Sequence, residues 1–303
     1  MSSLTVIILT CNEELHIARC LDSLASLSAN ILIVDSFSVD KTVEISEEKG
    51  AVVLKRSWLN YADQFQFALE NNPFKSEWIM RLDADEYLDH SMQLNLISSL
   101  RKAPSSISGF RCNLRNIYLG KKIRFGGYDP LNLLRIWRNG LGRIESRWMD
   151  EHIVLTYGDT SKAPGEILHN NLNNHRFWTE KHNKYADREM IDILNNKYHF
   201  FAIDNQLLST KTLSVRFKRF LKVYIYNKLP IFVRPSAYFF ARYFIFLGFL
   251  DGKEGFAYHF FQAYWYRCLV DVRVLEAENL LLHAHTNSER LTALQELTGL
   301  SLK

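Results

Sequence analysis

The stretch WIMRLDADE, residues 78–86, decides the predicted fold. It begins with apolar residues, as a buried strand does, and ends with Asp83, Asp85 and Glu86. Because side chains alternate along an extended chain, we expect Asp83 and Asp85 on the same side. Two carboxylates at this spacing repel each other unless a cation lies nearby. We therefore predict that Asp83, Ala84 and Asp85 hold a divalent metal that carries a nucleotide diphosphate. A solvated acidic turn, or a cap for a helix that starts near His90, would explain the same residues.

The residues before this stretch alternate between strand and helix patterns. Strands are predicted at 4–9, 31–34, 51–54 and 78–82, and helices at 15–27, 43–49 and 61–70. Asn12 is placed to cap the first helix, and Gly50 to end the second. A βαβαβαβ order with short connections is typical of an open, mostly parallel sheet.

Polar residues follow three of these four strands. They are Thr10–Glu14, Asp35 and Asp83–Asp85. Ligands of open α/β sheets bind at the carboxyl ends of the strands, so these residues are expected to converge there. No glycine-rich phosphate loop follows any strand. A metal would then have to supply much of the charge that binds a phosphate.

Three motifs make this pattern more specific. TCNEE at 10–14, VDSFSVDKT at 34–42 and LDADE at 82–86 resemble, in order and strand context, the nucleotide-sugar motifs of family 2 glycosyltransferases. The resemblance covers about residues 4–90 and implies the GT-A fold, a Rossmann-like and mostly parallel sheet. It implies that the nucleotide sugar is bound by Thr10, Asn12, Glu13, Asp35 (through the base), Asp83 and Ala84, and the metal, Mn²⁺ or Mg²⁺, by Asp85.

The stretch WMDEH at 148–152 is the second candidate for chemistry. An inverting sugar transfer needs a base that takes the acceptor's hydroxyl proton. Family members carry an acidic pair after the donor half, and Asp150-Glu151 matches that pair. One of the two is the predicted base, and the sequence does not choose between them. An acidic pair at the start of a helix would look the same.

Residues 131–185 supply further candidates. Residues 131–137 form a possible strand, whose Arg135 and neighbouring Arg138 would meet phosphate or lie on a solvated face. His169, in the polar loop 167–175, is a candidate metal ligand. Lys181 and Tyr185, on a predicted helix at 176–185, are candidates for the diphosphate. A polar loop that caps a helix is the alternative. The order of His, Trp, Lys and Tyr resembles bacterial lipopolysaccharide-core β-glucosyltransferases of family 2.

The last third of the chain is rich in aromatic and basic residues. Residues 217–266 contain 19 aromatic residues, and residues 216–267 contain nine basic but only two acidic ones. Arg234 and Arg242 interrupt the most apolar run, so no transmembrane helix is expected. Basic aromatic helices suit an anionic membrane surface. An aromatic helical subdomain that packs on the sheet or on another subunit is the alternative.

The overall composition limits the predicted partners and cellular compartment. The chain has 303 residues, 47% of them hydrophobic, and a net charge of +4, which is too small to indicate a nucleic-acid partner. The four cysteines lack Cys-x-x-Cys spacing, which fits a reducing compartment. No signal peptide is recognised after Met1. We predict a GT-A domain at 1–205, with a donor half at 1–90 and an acceptor half at 91–205, and a helical extension at 206–303.

The resemblance implies an inverting, metal-dependent glycosyltransferase on the cytoplasmic face of the cell membrane. It would transfer a sugar from a nucleotide diphosphate sugar, expected to be a UDP-hexose, to a lipopolysaccharide-core or lipid-linked glycan. Two alternatives are a catalytically inactive membrane-bound nucleotide-sugar sensor and a nucleotidyltransferase that makes sugar nucleotides. The nucleotidyltransferase would need a basic glycine-rich loop, which residues 9–17 lack. The oligomeric state is left open.

Overall fold

The computed structural model describes residues 3–127, 130–144, 153–201, 229–300 and 302, and the elements below are numbered within these residues. The chain divides into two compact units. The first contains residues 1–124 and 128–173, and the second contains 125–127 and 174–303. The predicted domain boundary at 205/206 lies outside the described residues. Residues 174–201, predicted to belong to the first domain, group with the C-terminal helices.

The first unit is an α/β structure, as predicted. Its strands are β1 Leu4–Thr10, β2 Asn30–Asp35, β3 Val52–Lys55, β4 Trp78–Arg81, β5 Glu86–Leu88, β6 Ile107–Tyr118, β7 Lys121–Lys122, β8 Leu131–Arg138, β9 Gly142–Ile144, β10 Ile153–Leu155 and β11 Asp159–His169. Its helices are α1 Ile17–Asp22, α2 Thr42–Glu48, α3 Tyr61–Glu70 and α4 His90–Arg101. Each predicted strand and helix is present, with ends that differ by a few residues.

The main sheet has the order β3-β2-β1-β4-β8-β6-β11-β5, and β7 pairs with β6. The first four strands in this order are parallel. Beyond them the sheet is mixed, because β8 runs antiparallel to both β4 and β6. β11 is parallel to β6 and antiparallel to β5. The parallel part carries the carboxyl ends of β1, β2 and β4 to one edge, which is where Thr10, Asp35 and the Asp83–Asp85 stretch lie.

Strand β1 is buried on both faces, which explains its nearly continuous apolar sequence. Val6 and Ile8 point into the larger apolar cluster, where they pack with residues of α1 and α4. Ile7 points to the opposite face and packs with Phe65 of α3 and Trp137 of β8. The strand that precedes Thr10 is therefore fixed by packing on both sides.

The second unit is helical. Its helices are α5 His175–Tyr198, α6 Val233–Phe240, α7 Gly252–His259, α8 Tyr266–Leu281 and α9 Asn287–Thr298, with irregular helical turns at Ala241–Ile245, Gly248–Asp251 and Phe260–Trp265. Its core joins α5, α8 and α9 through residues that include Met190, Val270 and Leu294. The predicted helical, aromatic-rich extension is confirmed. Among the described residues, no helix combines the length and hydropathy needed to span a membrane.

Candidate active site

The ends of β1 and β2 are joined by a buried carboxylate. Thr10 and Asp35 are register partners, and Thr10 Oγ1 donates to Asp35 Oδ2 at 2.8 Å. Ser38 donates to the same carboxylate through its backbone N–H at 2.8 Å and its hydroxyl at 2.5 Å. Asp35 is fully buried. A ligand therefore reaches this carboxylate only if the loop around Ser38 moves, and the contact between Asp35 and a base stays a prediction.

Asn12 links the first two loops of the site. The structure contradicts its predicted role as a helix cap, because α1 begins only at Ile17. Asn12 has a left-handed backbone with φ of 56°, which asparagine tolerates better than most residues. Its backbone N–H donates to Ser38 Oγ at 2.8 Å, and its Oδ1 accepts from the N–H of Val39 at 2.9 Å. These bonds hold together the loops that follow β1 and β2.

A buried histidine links the first loop to the loop after β11, and the sequence analysis missed it. Nδ1 of His16 lies 2.6 Å from Glu13 Oε2, and the backbone N–H of Leu172 donates to its Nε2 at 2.8 Å. Since Nε2 accepts, the ring proton must lie on Nδ1, from which it is donated to Glu13. The Glu-x-x-His spacing, with α1 starting at the next residue, was the available signal. Glu13 is thus already hydrogen-bonded within the protein, and its predicted contact with a nucleotide remains untested.

Asp83 is held by two arginines and a tyrosine. Tyr61 Oη donates to Asp83 Oδ1 at 2.9 Å, and Arg81 Nε and Arg135 Nη2 each lie 3.5 Å from this carboxylate. Burial by itself would raise the pKa of Asp83, but the two guanidinium groups bring it down to about 2. Asp83 is therefore ionised at neutral pH. Ala84, beside it, lies in the apolar core, so a nucleotide would meet its backbone.

Asp83 and Asp85 lie in a turn, contrary to the expectation of an extended strand. β4 ends at Arg81, and the N–H of Glu86 donates to the carbonyl of Asp83 at 2.9 Å, which closes a turn. In this turn Asp83 contacts Tyr61, whereas Asp85 contacts the end of β11.

Asp85 and His169, the two predicted metal ligands, are neighbours. His169 Nε2 lies 3.0 Å from Asp85 Oδ2, and Asn171 Nδ2 donates to the same oxygen at 3.1 Å. Burial is the largest single effect on the pKa of His169 and lowers it, but the hydrogen bond to Asp85 and the charges of Asp85, Glu86 and Asp83 together raise this pKa to about 9. His169 Nδ1 donates to Asn116 Oδ1 at 2.8 Å. This second bond orients the ring so that Nε2 faces Asp85.

These residues fit a divalent metal. Among the described residues, no three His, Cys, Asp or Glu side chains come together as a complete ligand set. Asp85 and His169 would supply two ligands, and a nucleotide diphosphate could complete the set, as is usual for Mg²⁺. A bond from the other ring nitrogen, like that from His169 Nδ1 to Asn116, is a common feature of metal-binding histidines. The metal would replace the proton on Nε2.

The two arginines of β8 have structural partners. Arg135 is buried and Nη2 lies 2.7 Å from Glu86 Oε1, so a solvated position is excluded for this side chain. Burial raises the pKa of Glu86 to about 7, although Arg135 acts against that shift. Arg138 forms an ion pair with Glu77 near the start of β4.

The remaining candidates lie elsewhere in the chain. Lys181 and Tyr185 are on α5 of the second unit, where Lys181 Nζ lies 5.7 Å from the centre of the Tyr185 ring. Their contact with a diphosphate stays a prediction. Asp150 and Glu151 lie outside the described residues, so their predicted role as base stays a prediction too.

A mostly parallel sheet with acidic and polar residues at the carboxyl edge of its parallel strands, in a chain that also has a helical C-terminal unit, defines an α/β protein with the GT-A type of fold. The sequence matches the model of the family described as glycosyl transferase family 2 over residues 5–161, just over half of the chain. The chain belongs to this family.

Comparisons with individual proteins agree with this assignment. The chain is 36% identical over 93 residues to the uncharacterised glycosyltransferase RT0209 of Rickettsia typhi, and 39% identical over 90 residues to one from Rickettsia bellii. These matches span 31% and 30% of the respective relatives, about a third of their length. The fold is similar to that of the mannosyltransferase PcManGT from Pyrobaculum calidifontis, with a TM-score of 0.50, 15% identity, and 90% of this chain and 86% of that chain covered.

The bond between His16 and Leu172 can be tested by amide exchange. His16→Phe keeps an aromatic ring but removes the acceptor of the Leu172 N–H. Since one hydrogen bond contributes about 1 kcal/mol, we expect the Leu172 amide to exchange about fivefold faster. The matched control is His90→Phe at an exposed position of α4, which should leave that amide unchanged. An unchanged Leu172 rate in His16→Phe would show that the bond does not hold this loop.

Proposed function

We propose that the chain is an inverting, metal-dependent glycosyltransferase whose donor is a nucleotide diphosphate sugar. The observation that carries this proposal is the arrangement of Asp85 beside His169, next to Asp83, at the carboxyl edge of the parallel strands. The mannosyltransferase PcManGT is described in complex with GDP-Man and Mn²⁺. By analogy, a divalent metal and a nucleotide sugar are proposed for this chain, with Mn²⁺ or Mg²⁺ as the metal and a UDP-hexose as the first donor to test.

The metal would be held by Asp85 and His169 and would neutralise the charge of the leaving diphosphate. In the reaction, an acceptor oxygen forms a bond to the anomeric carbon of the sugar. The bond between that carbon and the β-phosphate oxygen breaks, and the nucleoside diphosphate leaves with the electron pair. The acceptor's hydroxyl proton passes to a carboxylate, for which Asp150 and Glu151 are the candidates. Attack from the face opposite the leaving group inverts the anomeric centre.

We propose a lipopolysaccharide-core or lipid-linked glycan as acceptor and the cytoplasmic face of the cell membrane as the location. Support comes from half-exposed apolar side chains between residues 240 and 250, namely Phe240, Phe244, Ile245, Phe246, Leu247, Phe249 and Leu250. Large exposed apolar patches are often interaction surfaces. Between residues 229 and 250, Arg242 is buried and Arg234 is paired with Asp271, so the described surface there exposes no charged side chain.

The two alternative functions differ in their products. A nucleotide-sugar sensor would bind donor without releasing a nucleoside diphosphate. A nucleotidyltransferase would release pyrophosphate from a nucleoside triphosphate and a sugar phosphate. Two parallel incubations with metal separate the three functions: one with UDP- or GDP-sugars, assayed for free nucleoside diphosphate, and one with a nucleoside triphosphate and a sugar phosphate, assayed for pyrophosphate. Release of UDP or GDP is the result expected here.

The first prediction from this proposal concerns the metal. Asp85→Asn and His169→Ala should each weaken metal-dependent donor binding about 10- to 100-fold, because each removes a proposed ligand. Isothermal titration of UDP with Mn²⁺, and again with excess chelator, measures the effect. The matched control is Asp89→Asn, at the cap of α4 and away from the metal ligands, which should bind donor as the wild type does. Equal affinity for UDP in chelator and in Mn²⁺ would refute the metal requirement.

The second prediction concerns the base. A positioned general base contributes about 10²- to 10⁴-fold, so Asp150→Asn or Glu151→Gln should lower kcat by that range. Donor affinity should persist, because the substituted group acts on the acceptor. Single-turnover rates, together with donor affinity from the same titration, separate the two effects. If both single variants keep the wild-type kcat, the base is a different residue.

The third prediction concerns the membrane. Replacing Phe244 and Ile245 by Ser should reduce binding to both neutral and anionic vesicles, since each side chain is about half exposed or more. Replacing Arg216, Lys218, Arg219 and Lys222 by Gln should reduce binding to anionic vesicles only, and mainly at low salt. Co-sedimentation at two salt concentrations measures both effects. The control is Leu94→Ser, which alters an exposed leucine of the first unit. If the wild-type protein binds neither vesicle type, this location is ruled out.

A further inference from the structure

The buried side chain of Arg135 is placed by an irregularity in the sheet. Along the pairing of β8 with β6, Ile136 pairs with Phe110 and Leu134 pairs with Arg111, so Arg135 has no partner across the strands. The pairing of β8 with β4 covers residues 136–138 and does not include Arg135. A bulge of this kind redirects a side chain, and such bulges are common next to active sites.

The redirected guanidinium lies beneath the turn that contains the two aspartates. Arg135 Nη2 is 2.7 Å from Glu86 Oε1 and 3.5 Å from Asp83 Oδ2. Glu86 Oε2 in turn accepts from the backbone N–H of Asp83 at 3.0 Å. The backbone N–H of Glu86 also donates to the carbonyl of Asp83. These bonds fix the two ends of the turn to each other and to β8. Asp85 lies within this turn.

Stability alone does not explain this arrangement. Nε and Nη1 of Arg135 are buried without a hydrogen-bond partner in the described part of the chain, which is unfavourable for a charged donor. Buried ion pairs can often be replaced by apolar residues at no loss of stability. A buried donor without a partner needs an explanation, and a functional constraint is one. In this structure, the constraint would be on the position of the Asp83–Glu86 turn.

We infer that Arg135 is a positioning residue for donor binding, acting through Glu86 and Asp83 to hold the Asp83–Glu86 turn so that Asp85 faces His169. This inference rests on the proposed function, because it concerns the same metal and nucleotide site. Arg135 itself need not touch the donor. Lysine would supply the charge at this position, but as a compact point charge on a flexible stem that does not reproduce the guanidinium group.

The test compares metal binding with stability in Arg135→Gln, Arg135→Lys and the double variant Glu86→Gln/Arg135→Gln. The probe is Mn²⁺ titrated in the presence of UDP, or of GDP, and followed by electron paramagnetic resonance, with thermal unfolding measured in parallel. Arg135→Gln should raise the dissociation constant of Mn²⁺ about 10- to 100-fold, and Arg135→Lys should raise it less. Arg135→Gln should also lower Tm, because it leaves the Glu86 carboxylate buried without its partner.

The double variant separates positioning from stability. It contains no unpaired buried charge, so its Tm should recover relative to Arg135→Gln, whereas Mn²⁺ binding should remain weak. Arg138→Gln is the matched control, because Arg138 is on the same strand and also pairs with a glutamate. This control should lower Tm without changing the dissociation constant of Mn²⁺.

The possible outcomes decide the inference. It is overturned if the double variant recovers both Tm and Mn²⁺ affinity, or if Arg135→Gln binds Mn²⁺ within twofold of the wild type. If the double variant does not fold, Arg135→Lys decides: near-normal Tm with weakened Mn²⁺ binding supports the inference, and unchanged binding overturns it. Wild-type protein that binds no Mn²⁺ with either nucleotide overturns the proposed function, and this inference with it.

Discussion

The first unit depends on the neutralisation of three carboxylates within four residues. Asp83, Asp85 and Glu86 would repel one another at the end of β4, and each has a cationic partner supplied by a different strand. Arg81 comes from β4, Arg135 from β8 and His169 from β11. Arg135 and His169 lie 49 and 84 residues away from their partners, so these two ion pairs form only when β8 and β11 have joined the sheet. Fold and site are therefore coupled through charge as well as through packing.

This coupling explains which parts of the site could be predicted from the sequence. The strand order of residues 4–82 follows from hydrophobic pattern and turn residues, which are local properties. The proximity of Thr10 and Asp35 follows from the parallel sheet, since the ends of neighbouring parallel strands meet at one edge. The proximity of Asp85 and His169 does not follow from local pattern, because it depends on β5 pairing antiparallel with β11. His169 became a candidate only through its residue type and its place in a polar loop.

Other features of the site could not be predicted from the sequence, for physical reasons. Arg135 looked like a surface or phosphate-binding arginine because the strand pattern around it gives no sign of the bulge that buries it. The bulge results from how β4, β6 and β8 fit together. His16 was missed because its Glu-x-x-His spacing is a weak signal by itself, and its second partner, Leu172, is 156 residues away. Asn12 was misassigned because asparagine suits both a helix cap and a left-handed loop, and here the bonds to the loop of Ser38 and Val39 prevailed.

The loops at the carboxyl edge are hydrogen-bonded to one another. Glu13 N donates to Thr42 Oγ1 at 2.7 Å, and Lys41 N donates to Glu14 Oε2 at 3.1 Å. Through His16 the same network reaches Leu172, and through Arg19 it reaches the carbonyl of Asn170 at 2.6 Å. A site built in this way is largely pre-organised, so a donor would lose little of its binding free energy to ordering the loops.

The fully buried Asp35 is the exception, since a base can reach it only when bonds within this network open. Selectivity for the base and ordering of the loops would then be one event, because a nucleotide that cannot replace the opened bonds leaves buried polar groups unsatisfied.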